Sequence, residues 1–129
     1  LDMGDYPDLV PPLAVVGCML NIPFHFTRVG NLRIKESDRI AALQTELRKC
    51  GWILAADADS LEWDGNTVPV AEMPVLSPHD DHRLAMAFAA IAVWAPGIVI
   101  ADVDVVAKSY PGFWDDLRDA GFTLQEQQC

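Results

Sequence analysis

At 129 residues the chain is one domain's worth, and a hydrophobic share of 51% excludes a disordered polymer. Nine Lys and Arg against nineteen Asp and Glu leave a net charge of −10, which argues against a nucleic-acid partner, whose phosphates need clustered cations. Small anionic ligands are not excluded, because for them the placement of a few cations matters more than the total.

Residues 7–21 read as a helix opened by Pro7 and Asp8, with Pro11 and Pro12 in a first turn that tolerates missing N–H groups. Leu9, Val10, Leu13, Val16, Cys18 and Leu20 make it apolar all round, so it is expected to be buried. Residues 22–29 alternate like a strand through Phe24 and Phe26, and Gly30-Asn31 breaks it. Ser37 is the expected N-cap of the next helix, with Asp38 in its first turn. Ile40, Leu43 and Leu47 repeat at helical spacing up to Cys50, and Gly51 suits the left-handed position that closes such a helix. Short strands follow at 52–56 and 61–63, joined by a turn at 57–60. A loop holding Pro69, Pro74 and Pro78 leads to a buried helix starting at Asp80 or Asp81 and ended by Pro96-Gly97. Strands at 97–101, 103–107 and 122–124, with a helix at 112–120 before the last, complete the reading.

This order predicts a mixed α/β (α+β) domain with helices against one sheet face. Residues 22–101 read β-α-β-β-α-β, and the flanking elements read as parts of neighbouring copies of the same unit. Cys18, Cys50 and Cys129 are odd in number and far apart, without a CxxC pair. A reduced, cytoplasmic compartment without disulfides or a zinc site is the expectation. The apolar run 84–94 is too short to cross a bilayer, so no membrane partner is expected. The acidic N-terminus lacks the basic start of a secretory signal, and the start at Leu1 suggests a processed product, a cloned domain or a fragment.

The chemistry concentrates in two charged clusters. In Arg33-Ile34-Lys35-Glu36-Ser37-Asp38-Arg39, cations stand at a helix start, where they oppose the helix dipole unless an anion is present. Such a local conflict is expected at a working site. Glu36 is then either a salt-bridge partner or a proton carrier beside Lys35 and Arg39. In His79-Asp80-Asp81-His82-Arg83, a helix that is otherwise buried presents only its charged end. There the bland reading is an Asp cap and an ion-paired Arg83, and a metal site of two His and two Asp is the remote one. Lys108-Ser109-Tyr110-Pro111 and Tyr6-Pro7-Asp8 would not stand out alone.

Together these segments resemble the 5-enolpyruvylshikimate-3-phosphate synthases (3-phosphoshikimate 1-carboxyvinyltransferases). That family's R-x-K-E-[ST]-D-R run is met at Arg33 to Arg39, and its D-H-R-[ML]-A-M run at Asp81-His82-Arg83-Leu84-Ala85-Met86. Its K-[ST]-[FY]-P segment is met at Lys108 to Pro111, and the P-D that opens a helix at Pro7-Asp8. Pro11-Pro12 and Leu84 for the commoner Met are mild departures. The related UDP-N-acetylglucosamine enolpyruvyl transferases share the fold without the K-E-[ST]-D-R run.

The resemblance implies the enolpyruvyl transferase fold of βαββαβ units, and transfer of the enolpyruvyl group of phosphoenolpyruvate to the 5-hydroxyl of shikimate 3-phosphate. It implies no metal or organic cofactor. Asp8 would deprotonate the hydroxyl, Asn31 and Lys35 would hold shikimate 3-phosphate with Lys35 also moving protons, and Glu36 would protonate the methylene carbon. Arg39, Arg83 and Lys108 would bind phosphoenolpyruvate, with His82 hydrogen-bonding there. Since the family's chains are several times longer, residues 1–129 are expected to be part of a C-terminal domain, inactive without the N-terminal domain. The competing readings are a stand-alone small-anion-binding or scaffold domain, and a metal-dependent hydrolase using His79, Asp80, Asp81 and His82.

Overall fold

The computed structural model describes residues 1–70 and 72–124, with Lys108 described in its backbone only. A 3-10 turn, Pro7–Leu9, runs into α1, Val10–Met19, with Pro11 and Pro12 in its first turn. α1 stops at Asn21, whose φ of +57° lets its own N–H and that of Ile22 bond back to the Cys18 and Gly17 carbonyls. Next come β1, Phe24–Thr27, a 3-10 segment Gly30–Ile34, and α2, Arg39–Lys49. Gly51 closes α2 as expected: at φ +95° it donates to the Arg48 carbonyl while Trp52 donates to that of Leu47.

β2, Ala55–Ala56, and β3, Ser60–Trp63, form an antiparallel sheet with β1 in the order β1-β3-β2. The register sets Phe26 opposite Leu61 and Phe24 opposite Trp63, so period-two alternation turns Phe26, Leu61 and Trp63 inward. β4, Val75–Leu76, then leads to α3, His82–Ala89, continued as a 3-10 turn, Ala90–Val93. β5, Val99–Ile100, returns parallel to β4. A 3-10 segment, Val103–Lys108, and α4, Phe113–Asp119, end the described chain.

The mixed α/β composition matches the sequence reading, and the sheet does not. Two small sheets replace one, because the proline loop contains a strand, β4, that pairs with β5 rather than with β1–β3. Residues 52–56 contribute only Ala55–Ala56 to the first sheet, since Trp52 bridges Thr67 instead. The expected strand at 103–107 is 3-10 helix: Asp102 turns the chain at φ +50°, and Val106 alone of that run is fully buried. Residues 122–124 join no strand among the described residues. The cap of α2 is Asp38, which accepts from the Ala41 N–H, because the Ser37 hydroxyl is engaged elsewhere. The cap of α3 is Asp81.

The core lies among α1, α2, α3 and the inner face of β1–β3. Val10, Ala14, Val15 and Cys18 meet Ile40, Leu43 and Leu47 of α2 and Leu84, Phe88 and Ile91 of the third helical run. α1 is nevertheless buried on one side only. Leu9, Leu13, Val16, Leu20 and Ile22 remain exposed, so the helix read as buried presents a second apolar face that nothing among the described residues covers. No described helix is long and apolar enough to cross a membrane.

Gly51 gives a test of this frame. A Cβ there would stand 2.7 Å from the Val68 carbonyl oxygen and would hold a positive φ. Gly51→Ala should lower unfolding free energy in urea by about 2–5 kcal/mol, strain and clash together. Gly97, equally left-handed but with nothing within 4 Å, is the control. Gly97→Ala should cost about 1–2 kcal/mol from backbone strain alone.

Candidate active site

Arg39, the first residue of α2, is the hub of the charged residues. Its guanidinium is 1% exposed and donates in three directions. Nε reaches Asp81 Oδ2 at 2.8 Å, with Nη2 at 3.3 Å from Oδ1, a near-bidentate pair across 42 residues of sequence. Nη2 also donates to Glu36 at 2.6 Å, and Nη1 to Asp8 at 3.2 Å. Asp81 is fully buried and accepts two more bonds, from the Ser37 hydroxyl at 2.8 Å and from the Arg83 amide at 3.0 Å. The Arg83 guanidinium lies 3.3 Å from the other oxygen of Asp8. Asp8 thus bridges two arginines, and three segments distant in sequence meet at one point.

Of the residues singled out from sequence, the structure brings together Asp8, Glu36, Arg39 and Arg83. Asn31 and Lys35 lie on the exposed 3-10 segment and its end, and His82 opens α3. The side chains of those three make no hydrogen bond or ion pair among the described residues. The Lys108 side chain lies outside the described residues. Its backbone belongs to a 3-10 segment that packs on α3. Arg33 turns away, bonding Asp38 at 3.2 Å and the Asp57 carbonyl at 2.9 Å, which ties the charged run to the β2–β3 turn.

Ser37, read as a plain cap, and Asp81, read as a cap or a metal ligand, are the members that sequence reasoning did not join to the arginines. The available signal was Asp81 leading the D-H-R run, since a cap can bond a cation with the oxygen lone pairs left over. The proposed metal set is dispersed: Asp81 is committed to Arg39, and His79 faces Glu46 at 2.8 Å. Among the described residues no group of three or more His, Cys, Asp or Glu could hold a metal ion.

Burial pushes the Asp81 carboxyl up. The Arg39 and Ser37 hydrogen bonds, the Arg39 charge and the Arg83 amide outweigh it and hold the group below its usual 3.8. Burial alone would lower Arg39, and the carboxylates around it raise it further instead. Burial likewise pushes the Cys18 thiol up to about 12 and Cys50 to about 11, so neither is a nucleophile at neutral pH.

Three carboxylates facing two guanidinia make a site already filled by the chain's own anions. Asp81 is walled in. Asp8 and Glu36 are half-exposed, as is Arg83, so these can exchange partners with an incoming anion without opening the core. Lys35, next to Glu36 in sequence, is exposed and has no ion-pair partner among the described residues.

The fold is a mixed α/β domain of the enolpyruvyl transferase type. The chain belongs to the EPSP synthase (3-phosphoshikimate 1-carboxyvinyltransferase) family, whose model matches residues 1–117. It is 50% identical over 125 residues to a 3-phosphoshikimate 1-carboxyvinyltransferase of Bacteroides fragilis, a match covering 96% of this chain and 30% of that protein. Proteins of the same name from Syntrophobacter fumaroxidans and Methanospirillum hungatei are 41% and 36% identical, over 89% and 92% of this chain. The chain spans 27% of the length of each of these two.

Removing Asp81 would strand a buried guanidinium. Asp81→Ala should cost about 3–5 kcal/mol in urea unfolding, far more than loss of an exposed pair. The pH dependence has a fixed sign. Because the folded carboxyl is depressed, its contribution is complete above 3.8 and is lost as pH falls through the lower folded value. Wild-type stability should therefore fall between about pH 5 and pH 2, and the Asp81→Asn variant should lose less over that range.

Proposed function

We propose that this chain forms one wall of a 3-phosphoshikimate 1-carboxyvinyl transfer site, as part of the C-terminal domain of a longer cytoplasmic enzyme. The observation that carries the reading is the convergence of Asp8, Glu36, Arg39 and Arg83 from three family motifs onto one cluster. The reaction joins two polyanions, so fixed cations are required, with Arg suited to forked recognition of carboxylate and phosphate.

In this reading Arg83, Lys108 and Arg39 take the carboxylate and phosphate of phosphoenolpyruvate, with His82 donating a hydrogen bond. Asn31 and Lys35 hold shikimate 3-phosphate. Asp8 removes the proton of the 5-hydroxyl, whose oxygen attacks C2 of phosphoenolpyruvate while Glu36 delivers a proton to C3. Glu36, or Lys35 beside it, then takes a proton back from that carbon as the C2–O bond to phosphate breaks, giving enol ether and free phosphate. The rest of the site, including half of the anion contacts, belongs to an N-terminal domain not encoded in these residues.

A segment exchange tests this. Placing residues 1–125 in the matching segment of the Bacteroides fragilis relative should give a chimera that releases phosphate from phosphoenolpyruvate only when shikimate 3-phosphate is present. A folded chimera without turnover that still binds phosphoenolpyruvate would favour an anion-binding or scaffold domain. In the active chimera, Glu36→Gln should lower kcat by roughly 10²–10⁴-fold with KM values nearly unchanged. Retained activity would remove Glu36 from the mechanism.

A further inference from the structure

A second buried charge sits on α2 outside the cluster. Glu46 lies seven residues after Arg39, two helical turns along the same face, about 10 Å away along the axis. Its side chain is nearly as buried as that of Arg39. Oε1 accepts from Lys49 Nζ at 2.7 Å and from the Ser77 amide at 2.8 Å, and Oε2 faces His79 Nε2 at 2.8 Å. A pair with Lys49 alone would not require burial, since Lys49 itself is substantially exposed. What burial adds is the grip on Ser77 and His79.

Those two residues begin the turn that delivers Asp81. The Asp81 amide donates to the Pro78 carbonyl at 2.9 Å, and His79 and Asp80 between them both take left-handed φ values, +52° and +57°. Neither is glycine, so the turn is strained and something must hold it. Ser77 Oγ accepts the His79 amide at 3.2 Å, and Glu46 fixes Ser77 and the His79 ring. The turn is therefore clamped at both ends by α2, at Ser77 and His79 by Glu46 and at Asp81 by Arg39. Burial pushes the Glu46 carboxyl up, but Lys49, the Ser77 amide and His79 together bring it below its usual 4.5, so it is ionised at neutral pH.

We propose that Glu46 is a positioning residue for the arginine pair, acting through Ser77 and His79 to set the turn that presents Asp81 to Arg39 and the Arg83 amide. It touches no ligand. The inference rests on the carboxyvinyl-transfer reading only where its effect on substrate is concerned.

Two measurements test it. In the active chimera, Glu46→Gln should raise KM for phosphoenolpyruvate roughly tenfold or more while KM for shikimate 3-phosphate stays within about twofold. Equal change in both, or in neither, would overturn the inference. In the chain itself, the Arg39 Nε–H, bonded to Asp81 and buried, should give a slowly exchanging NMR signal that Glu46→Gln abolishes; its persistence would also overturn the inference. If Glu46→Gln does not fold, His79→Ala, at a partly exposed position, should show the same selectivity at smaller size. An inactive wild-type chimera would count against the functional reading, and the NMR outcome would still decide the role of Glu46.

Discussion

A guanidinium removed from water is tolerated only where carboxylates surround it, and the burial of Arg39 sets that requirement at the centre of this domain. Asp81 answers it with near-bidentate geometry, and Asp8 and Glu36 complete the shell. These partners come from the lead-in to α1, the loop before α2 and the cap of α3. Meeting the needs of one charge therefore brings three chain segments to a point. Loss of any approach would leave a buried ion short of partners, which gives the arrangement a geometric specificity that apolar contacts alone lack.

The same helix serves core and site. Ile40, Leu43 and Leu47 pack inward along α2, while Arg39 and Glu46 reach across to the segment between β4 and α3. Apolar burial supplies the general drive and tolerates small shifts in position. The charged contacts do not tolerate them, because hydrogen bonds weaken steeply with misalignment. The precise height of α3 against α2 is thus set at its polar end, where chemistry is expected.

An apolar flank accompanies this site. Leu9, at the end of the 3-10 turn, and Leu13 and Val16 of α1 are exposed, directly after Asp8. The chain spans 27–30% of the length of the relatives named above. Asp8, one of the two half-exposed carboxylates, immediately precedes this flank.

From the sequence alone came the mixed α/β class, the close of α2 at Gly51, the strand-like alternation through Phe24 and Phe26, and the charged runs themselves. Local rules govern each of these: left-handed φ at a helix end, period-two alternation, and cations set against a helix dipole. The split into two sheets, the 3-10 form of 103–108 and the one-sided burial of α1 depended on which partners reached each segment. Asp38 rather than Ser37 caps α2 for the same reason, since the Ser37 hydroxyl is taken by Asp81. The charged run from Arg33 to Arg39 announced cations at a helix start. Only the tertiary structure turned Arg33 away, buried Arg39 among three carboxylates and left Lys35 facing solvent, because long-range charge pairing has no period that a local pattern can carry.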